Sequence, residues 1–337
     1  MTFNLGAISV FPLWPSVRGS VKITVHDVDF VSGGGFRVLP EHRHYNIRQC
    51  RKDRRLCLEV WVLVDFFKVH GNGNDFVVLD NREGRLSGAD LRSAAVALCR
   101  RRASIGADGL MAVERTEGAD FRMRIFNADG SEAEMCGNGA RALARYAYER
   151  GIASSPMRFI TESGLIEATV EPPFVELDMG RVDLAGGIFG RSLRAGGVEF
   201  PFVFLTVGVP HCVLLSDEEY SENAMREIGR TVRYDAELFP EGANVTFARR
   251  LPSGDVAAVT YERGVEDLTD SCGTGCVAVA VAGVLVWSLC APIRVVNPGG
   301  TNTVRLEFAS DNASARAWLR GRTALVASGT LFEEAWS

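Results

Sequence analysis

This chain of 337 residues has few histidines, five in all. Its eight cysteines include no C-x-x-C pair. A zinc framework and a disulfide-rich secreted scaffold are therefore not indicated, and we expect free thiols in a reducing cytoplasm. No apolar run approaches the roughly 20 residues that a membrane-spanning helix needs. The formal net charge of −5 gives no reason to expect a nucleic acid or a membrane as a partner.

The most informative stretch is residues 126–141, which reads FNADGSEAEMCGNGAR. A strand-like run leads into a polar turn, and an apolar helix pattern follows Cys136. Cys136 is therefore predicted at a helix N-terminus, with the Gly137 and Gly139 backbone N–H groups unobstructed. Such N–H groups and the helix dipole predict an anion site. They should also favour thiolate over thiol and lower the cysteine pKa below about 8.5.

The same layout returns 136 residues later, where Cys272 is followed by Gly-Thr-Gly and an apolar run. The same offset pairs Asn127 with Arg263, Gly164 with Gly300, and residues 74–77 with residues 210–213. Four matches at one offset predict a duplicated unit.

Each unit consists mostly of predicted strands and contains one long apolar helix. This pattern predicts an α+β fold of two pseudo-symmetric domains. Each domain is expected to be a curved, mostly antiparallel sheet or barrel around a central helix, with residues 277–287 buried on all sides. Helices are predicted over 90–101 and 217–229, a glycine-rich connection over 183–197 and a final strand over 324–332. The domains are predicted at 65–183, together with a C-terminal strand at about 324–337, and at 184–323.

Residues 1–64 do not fit this pattern and are predicted to be an extension outside the functional domain. They lack the ordered regions of a signal peptide. Our hypothesis is that they are translated upstream sequence, with the true start near residue 63 or 64. An intact mass of the native protein that includes residues 1–60 would refute it.

Two cysteines at helix starts facing one cleft have a specific chemical use. A carboxylate bound between the helix starts has its charge compensated, which favours further negative charge at the adjacent carbon. A thiolate on one face could then remove the α-hydrogen, and a thiol on the other face could return a proton. This arrangement demands neither a metal nor an organic cofactor. His211, next to a proline at a strand end, is a candidate for tuning a thiol. Cys99, Cys212 and Cys290 stand in apolar contexts and are predicted to be core residues.

Several separate motifs resemble those of the diaminopimelate epimerase family, from about residue 65 to the C-terminus. The stretches that carry the resemblance are HGNGNDF at 70–76, FNADG at 126–130, CGNGAR at 136–141, GVPHC at 208–212, YERG at 261–264 and CGTG at 272–275. The resemblance implies a cofactor-independent interconversion of LL- and meso-diaminopimelate for lysine and peptidoglycan precursors. It also implies a barrel-around-helix fold and a homodimer.

The resemblance assigns a role to each matching residue. Cys136 and Cys272 would be the acid/base pair, and Glu262 and His211 would help to set the thiol pKa values. The residues implied in substrate binding are Asn74, Asn127, Gly137, Asn138, Asn244, Glu262, Arg263, Gly273 and Thr274. Two positions depart from the commonest family pattern, because Val209 stands where an asparagine is often seen and Gly109 where a glutamine is often seen.

Two alternatives stay open. One is another two-cysteine racemase of the same fold that acts on histidine, proline or glutamate, although Asn127, Asn244 and Arg263 favour a substrate with a distal carboxylate. The other is a dithiol redox or metal-binding protein that uses Cys136, Cys272 and His211. That function needs sulfur atoms close enough to bridge, whereas epimerisation needs room for a carbon atom between them.

Overall fold

The structure is a computed structural model that describes residues 20–24, 45–52, 55–62 and 64–336. The first three ranges are strands β1 (Ser20–Thr24), β2 (Tyr45–Lys52) and β3 (Arg55–Val62), which form an antiparallel sheet in the order β1-β3-β2. The hypothesis that residues 1–64 are translated upstream sequence falls largely outside the described residues, and it stays a prediction.

The main body starts at residue 64, and its elements come in two successive series. The first series is β4 (Val64–Gly71), β5 (Asn74–Asp80), α1 (Gly88–Leu98), β6 (Gly109–Glu114), β7 (Phe121–Asn127), β8 (Glu132–Ala133), α2 (Gly137–Glu149), β9 (Met157–Thr161), β10 (Gly164–Glu171) and β11 (Phe174–Asp183). The second series is β12 (Ile188–Ala195), β13 (Val198–Val207), β14 (Val209–Ser216), α3 (Glu222–Arg233), β15 (Asn244–Arg250), β16 (Val256–Glu262), β17 (Asp267–Thr269), α4 (Gly273–Trp287), β18 (Ile293–Asn297), β19 (Gly300–Phe308) and β20 (Ser314–Leu331). A 3-10 helix, Glu333–Trp336, follows.

The second series repeats the first at the offset seen in the sequence. Helices α2 and α4 begin at Gly137 and Gly273, β9 and β18 begin at Met157 and Ile293, and β10 and β19 begin 136 residues apart as well. The strand pairing repeats too, because the parallel pairs β5–β6 and β7–β9 correspond to β14–β15 and β16–β18. The predicted duplication is therefore present in the fold.

The two apolar helices lie inside the curved sheets. Helix α2 packs on β4, β5, β10, β11 and β20, and helix α4 packs on β13, β14, β18 and β19. Helices α1 and α3 pack outside, on β6 and β7 and on β15 and β16. The predicted α+β fold, with sheets around central helices, is confirmed. None of the helices within residues 64–336 has the length and apolar character needed to span a lipid bilayer.

The prediction that residues 277–287 are buried on all sides is wrong for the last turn of α4. Its residues from Cys276 to Gly283 are buried, but Leu285 and Val286 are 41% and 43% exposed. The helix leaves the sheet there and ends at Ser288, whose φ of 54° is left-handed and stops the helical hydrogen bonds.

Three other predicted element boundaries are corrected. Residues 188–195 of the predicted connection form strand β12, in which exposed and buried side chains alternate only over the last four residues. Strand β20 begins at Ser314 rather than near 324, and it joins the halves by pairing with β11 and β19 first and with β4 from Thr323 onward. Helix α3 begins after its N-cap Ser221, because the Ser221 hydroxyl accepts the Ala224 N–H.

Candidate active site

Both candidate catalytic cysteines are helix N-caps. Cys136 and Cys272 have extended backbones, and their sulfur atoms accept the N–H groups of Gly139 and Gly275 at 3.4 Å each. A Cβ on Gly139 would lie 3.1 Å from the sulfur of Met111, so glycine allows this close packing without a shift of the neighbouring side chain. The Cys-Gly-x-Gly pattern therefore places each thiol at the positive end of a buried helix.

The two helix starts meet at the boundary between the halves. A Cβ on Gly137 would lie 4.0 Å from the Cα of Gly273, so the first residues of α2 and α4 are in contact. The Asn138 amide donates to the carbonyl oxygen of Ser271 at 2.9 Å, directly before Cys272. The structure thus brings the two cysteine motifs, 136 residues apart in sequence, to one place.

Four predicted binding residues are the first two residues of these helices: Gly137 and Asn138 on α2, and Gly273 and Thr274 on α4. The N–H groups of a helix's first turn have no carbonyl partner inside the helix. Two such sets, in contact with each other, are of the kind that can donate hydrogen bonds to an anionic group.

His211 reaches the second thiol through a threonine. The fully buried His211 Nε2 lies 3.0 Å from the Thr274 hydroxyl, which lies 3.6 Å from the sulfur of Cys272. Burial, together with the smaller effect of the Arg263 charge, lowers the pKa of His211 to about 3, so the imidazole is neutral near pH 7. Its Nδ1 is buried without a hydrogen-bond partner.

The predicted lowering of the pKa values of the two thiols is wrong. Burial raises the pKa of both Cys136 and Cys272, and the Glu262 charge raises both further. The N–H groups of Gly139 and Gly275 act in the opposite direction but do not compensate for the lost hydration. Because Glu262 acts on both thiols, it lies near both of them. Burial also raises the pKa of Glu262 itself.

Asn127, Asn244 and Arg263, which favour a substrate with a distal carboxylate, lie in two separate places. Arg263 and Asn244 are joined, because the Arg263 N–H donates to the Asn244 side-chain oxygen at 2.7 Å, and the Arg263 guanidinium donates to the Glu241 carbonyl at 2.9 Å. Asn244 lies beside His211 in the β14–β15 pairing. Asn127, at the end of β7, is exposed and donates to the Ser131 hydroxyl at 2.9 Å.

Asn74, at the start of β5, carries a buried side-chain oxygen without a hydrogen-bond partner. A buried polar atom of this kind costs folding free energy unless a ligand satisfies it. Asn74 therefore has a free acceptor for a donor group such as an ammonium.

The structure explains one of the two departures from the family pattern. A Cβ on Gly109 would lie 2.7 Å from the backbone oxygen of Phe126 and 3.2 Å from the Phe76 ring, so a side chain does not fit there in this chain. Val209 is half-buried near His211 and offers no side-chain amide.

The other described cysteines divide into core and surface. Cys99 and Cys212 are buried as predicted, and burial raises the pKa of Cys99 to about 11. The prediction that Cys290 is a core residue is wrong, because Cys290 is exposed beyond the end of α4. Cys136 and Cys272 are both free thiols.

Within residues 64–336, no group of three or more His, Cys, Asp or Glu side chains is arranged to hold a metal ion.

Sequence reasoning missed a buried polar network behind the helix starts. Its members are Asn72, Arg141, Ser271, Cys276, Asn297 and Asn302. One readable signal was available, since Arg141 has no carboxylate three or four positions away on its helix to pair with it.

The amino-acid sequence matches the model of the family described as diaminopimelate epimerase over residues 66–185 and 203–317. The diaminopimelate epimerase of Archaeoglobus fulgidus is 38% identical over 262 residues, which cover 74% of this chain and 91% of the relative. That of Aquifex aeolicus is 34% identical over 280 residues, which cover 80% of this chain and 99% of the relative.

Solved structures share the fold at lower sequence identity. A phenazine biosynthesis protein of the PhzF family from Bacillus anthracis superposes with a TM-score of 0.61 at 14% identity, covering 80% of this chain and 99% of that one. A hydroxyproline epimerase from Agrobacterium vitis superposes with a TM-score of 0.56 at 17% identity, covering 81% and 93%. The resemblance inferred from the motifs is confirmed, and this chain belongs to the diaminopimelate epimerase family.

Proposed function

We propose that this protein is a cofactor-independent epimerase that interconverts LL- and meso-2,6-diaminopimelate in the synthesis of lysine and peptidoglycan precursors. The observation that carries the proposal is the contact between two duplicated helix starts, each capped by a cysteine. A racemising enzyme without a cofactor needs one base and one acid on opposite faces of a carbon atom, and a duplicated cysteine motif offers such a pair.

The proposed reaction moves one proton off the α-carbon and another onto it. The thiolate of one cysteine takes the α-hydrogen as a proton, and the electron pair left behind is delocalised onto the carboxylate held by the helix N–H groups. The thiol of the other cysteine then protonates the opposite face, so that the two cysteines exchange protonation states and the stereocentre inverts. The raised thiol pKa values support this scheme, because they keep the acid protonated and make the thiolate a stronger base once it forms.

The far end of diaminopimelate carries a second carboxylate and a second ammonium group. Arg263 is proposed to bind the distal carboxylate, because a guanidinium pairs with a carboxylate through two parallel hydrogen bonds. Glu262 and the side-chain oxygens of Asn74, Asn127 and Asn244 are proposed to accept ammonium protons. The unpartnered oxygen of Asn74 supports this assignment.

The function is tested by incubating the purified protein with LL-diaminopimelate in D₂O without added cofactor. We expect deuterium at one α-carbon and a mixture of LL and meso forms, followed by mass spectrometry and chiral chromatography. Failure to exchange or invert diaminopimelate would contradict the proposal. Inversion of proline, histidine or glutamate instead would favour the other racemase class.

The Arg263→Lys protein is expected to bind substrate more weakly. A lysine ammonium makes one point contact where the guanidinium makes two, and a charged hydrogen bond contributes roughly 1.5–3 kcal/mol, so KM should rise about 10-fold or more. Steady-state kinetics would measure the change. The matched control is Arg250→Lys, at an exposed pair with Asp217, which should leave KM unaltered. An unchanged KM in the Arg263→Lys protein would contradict the assigned role.

Three further assignments belong to the same proposal. The enzyme is proposed to be a cytoplasmic homodimer. Its two domains are proposed to comprise residues 65–183 with the C-terminal strand at about 324–337, and residues 184–323. The pairing of the last part of β20 with β4 supports the return of the C-terminus to the first domain.

A further inference from the structure

Arg141 is a buried cation without an ion-pair partner. Its exposure is 0%, and it lies one turn into α2 after Cys136. One guanidinium nitrogen, Nη2, donates to the side-chain oxygen of Asn138 at 2.5 Å, while Nε and Nη1 have no hydrogen-bond partner. Within residues 64–336, no carboxylate forms an ion pair with it. Burying an uncompensated charge is costly, so its presence calls for a physical reason.

The guanidinium lies between the two helix starts. Its Nη1 would be 4.0 Å from a Cβ placed on Gly273, the first residue of α4. On the other side, a Cβ on Gly321 of β20 would be 2.7 Å from Nε, so that strand approaches without a side chain to make room. Asn138, held by Arg141, donates its amide to Ser271 directly before Cys272. A chain of two hydrogen bonds thus runs from α2 to the residue before the second cysteine.

The groups that can become anionic around Arg141 are thiols. Its charge interacts with Cys136 on its own helix and with Cys276 on α4. Cys276 accepts hydrogen bonds from Asn297 and Asn302 at 3.3 Å each. The charged groups that act on Cys136 are Glu262 from β16, which disfavours the thiolate, and Arg141, which favours it.

We propose that Arg141 is a positioning residue of this reaction, which fixes Asn138 and so aligns the two helix starts, and whose buried charge compensates the Cys136 thiolate. This inference rests on the epimerase function proposed above. Burial lowers the pKa of Arg141 only to about 10, so the side chain keeps its charge at neutral pH. With a fixed cation behind it, the Cys136 thiolate can form in a buried site despite the opposing charge of Glu262.

The test compares the Arg141→Gln and Arg141→Lys proteins. Glutamine can still donate to Asn138 but carries no charge, whereas lysine keeps the charge. Losing a neighbouring cation disfavours the thiolate, so the pKa of Cys136 in Arg141→Gln should rise by about one unit or more. The acid limb of the kcat/KM profile should move to higher pH by the same amount, and kcat at pH 7 should fall about 10-fold or more, because the thiolate fraction falls about 10-fold for each unit of pKa. Arg141→Lys should restore most of the pH profile.

A second readout does not depend on activity. The rate at which iodoacetamide alkylates Cys136, followed by peptide mass mapping as a function of pH, reports its thiolate fraction directly. The control variant is Arg145→Gln, one turn further along α2 in an ion pair with Glu149, which should change neither profile. Thermal unfolding of each protein checks that the fold is retained.

The possible results decide between the roles. An unchanged alkylation profile in folded Arg141→Gln, even with reduced kcat, would overturn the proposal and leave Arg141 a structural residue. If neither Arg141 variant folds, the Cys276→Asp protein provides the test instead. It keeps Arg141 and places a carboxylate where it interacts with the Arg141 guanidinium, which weakens the effect of that charge on Cys136. The same upward shift for Cys136 is expected there, and no shift would overturn the proposal. A wild-type protein that fails to invert diaminopimelate would refute the proposed function itself.

Discussion

The Cys136→Ser and Cys272→Ser proteins are each expected to lose epimerisation by about 10³-fold or more, since one positioned acid or base contributes about 10²–10⁴-fold. A serine hydroxyl fills nearly the same space and can still accept the Gly139 or Gly275 N–H, so the helix cap should persist. It ionises far less readily than a thiol and cannot serve as the base. Chiral chromatography of LL and meso forms would measure the loss, and Cys290→Ser, at the exposed cysteine, is the matched control.

Isotope exchange in D₂O separates the two cysteines. A protein with one remaining thiol can still remove the α-hydrogen from the face that this thiol reaches, and return deuterium to the same face without inversion. We therefore expect each single variant to exchange the hydrogen of one stereoisomer only, with the LL and meso forms reversed between the two variants. The double variant should exchange neither. A single variant that still inverts the centre at the wild-type rate would exclude the two-thiol mechanism.

The sequence predicts the repeated parts of this protein well because they obey local rules. Glycines after Cys136 and Cys272 mark helix starts in both halves, and the 136-residue offset predicts that the two starts are equivalent. The same offset applies to β9 and β18. Strand β12 was not predicted because its first five residues are exposed or half-buried, so that a period of two covers only its last four residues. The length of β20 was not predicted either, because a strand that pairs with both halves has no counterpart of equal length in the first half.

The electrostatics of the site could not be predicted from local sequence. A helix N-terminus alone favours a thiolate. Burial and the carboxylate of Glu262, which comes from a strand of the second half, reverse that preference in the folded protein. The missing carboxylate partner of Arg141 is visible in the sequence, but its burial is not, because that depends on the packing of α4 and β20 against it. Pairing and burial between distant segments decide these properties.

The β4–β5 hairpin illustrates such a long-range contact. Its turn, at residues 71–74, docks on the β18–β19 turn of the other half. The buried Asn72 amide donates to Asn302 at 2.9 Å, and the Gly73 turn comes within van der Waals reach of Gly299. The corresponding turn of the second half is not packed in this way, since nothing lies within 4 Å of a Cβ placed on Gly208. The docked hairpin holds Asn74, a proposed substrate ligand, in place.

The Gly299→Ala protein is therefore expected to lose both stability and activity. A Cβ at this position would overlap the backbone oxygen of Asn72 and lie 3.1 Å from Asp270, and neither backbone segment can yield as a flexible side chain would. The hairpin must shift, which should cost about 1–3 kcal/mol of unfolding free energy, as overpacking does. A displacement of about 1 Å at Asn74 can reduce kcat/KM by about 100-fold.

Thermal unfolding and steady-state kinetics well below the midpoint would separate the two effects. The matched control is Gly186→Ala, because a Cβ on Gly186 meets nothing within 4 Å. Kinetics measured where the Gly299→Ala protein is fully folded should still show the loss, since it arises from a misplaced Asn74 rather than from unfolding. Full kcat/KM in the folded variant would mean that the docked hairpin does not position the substrate.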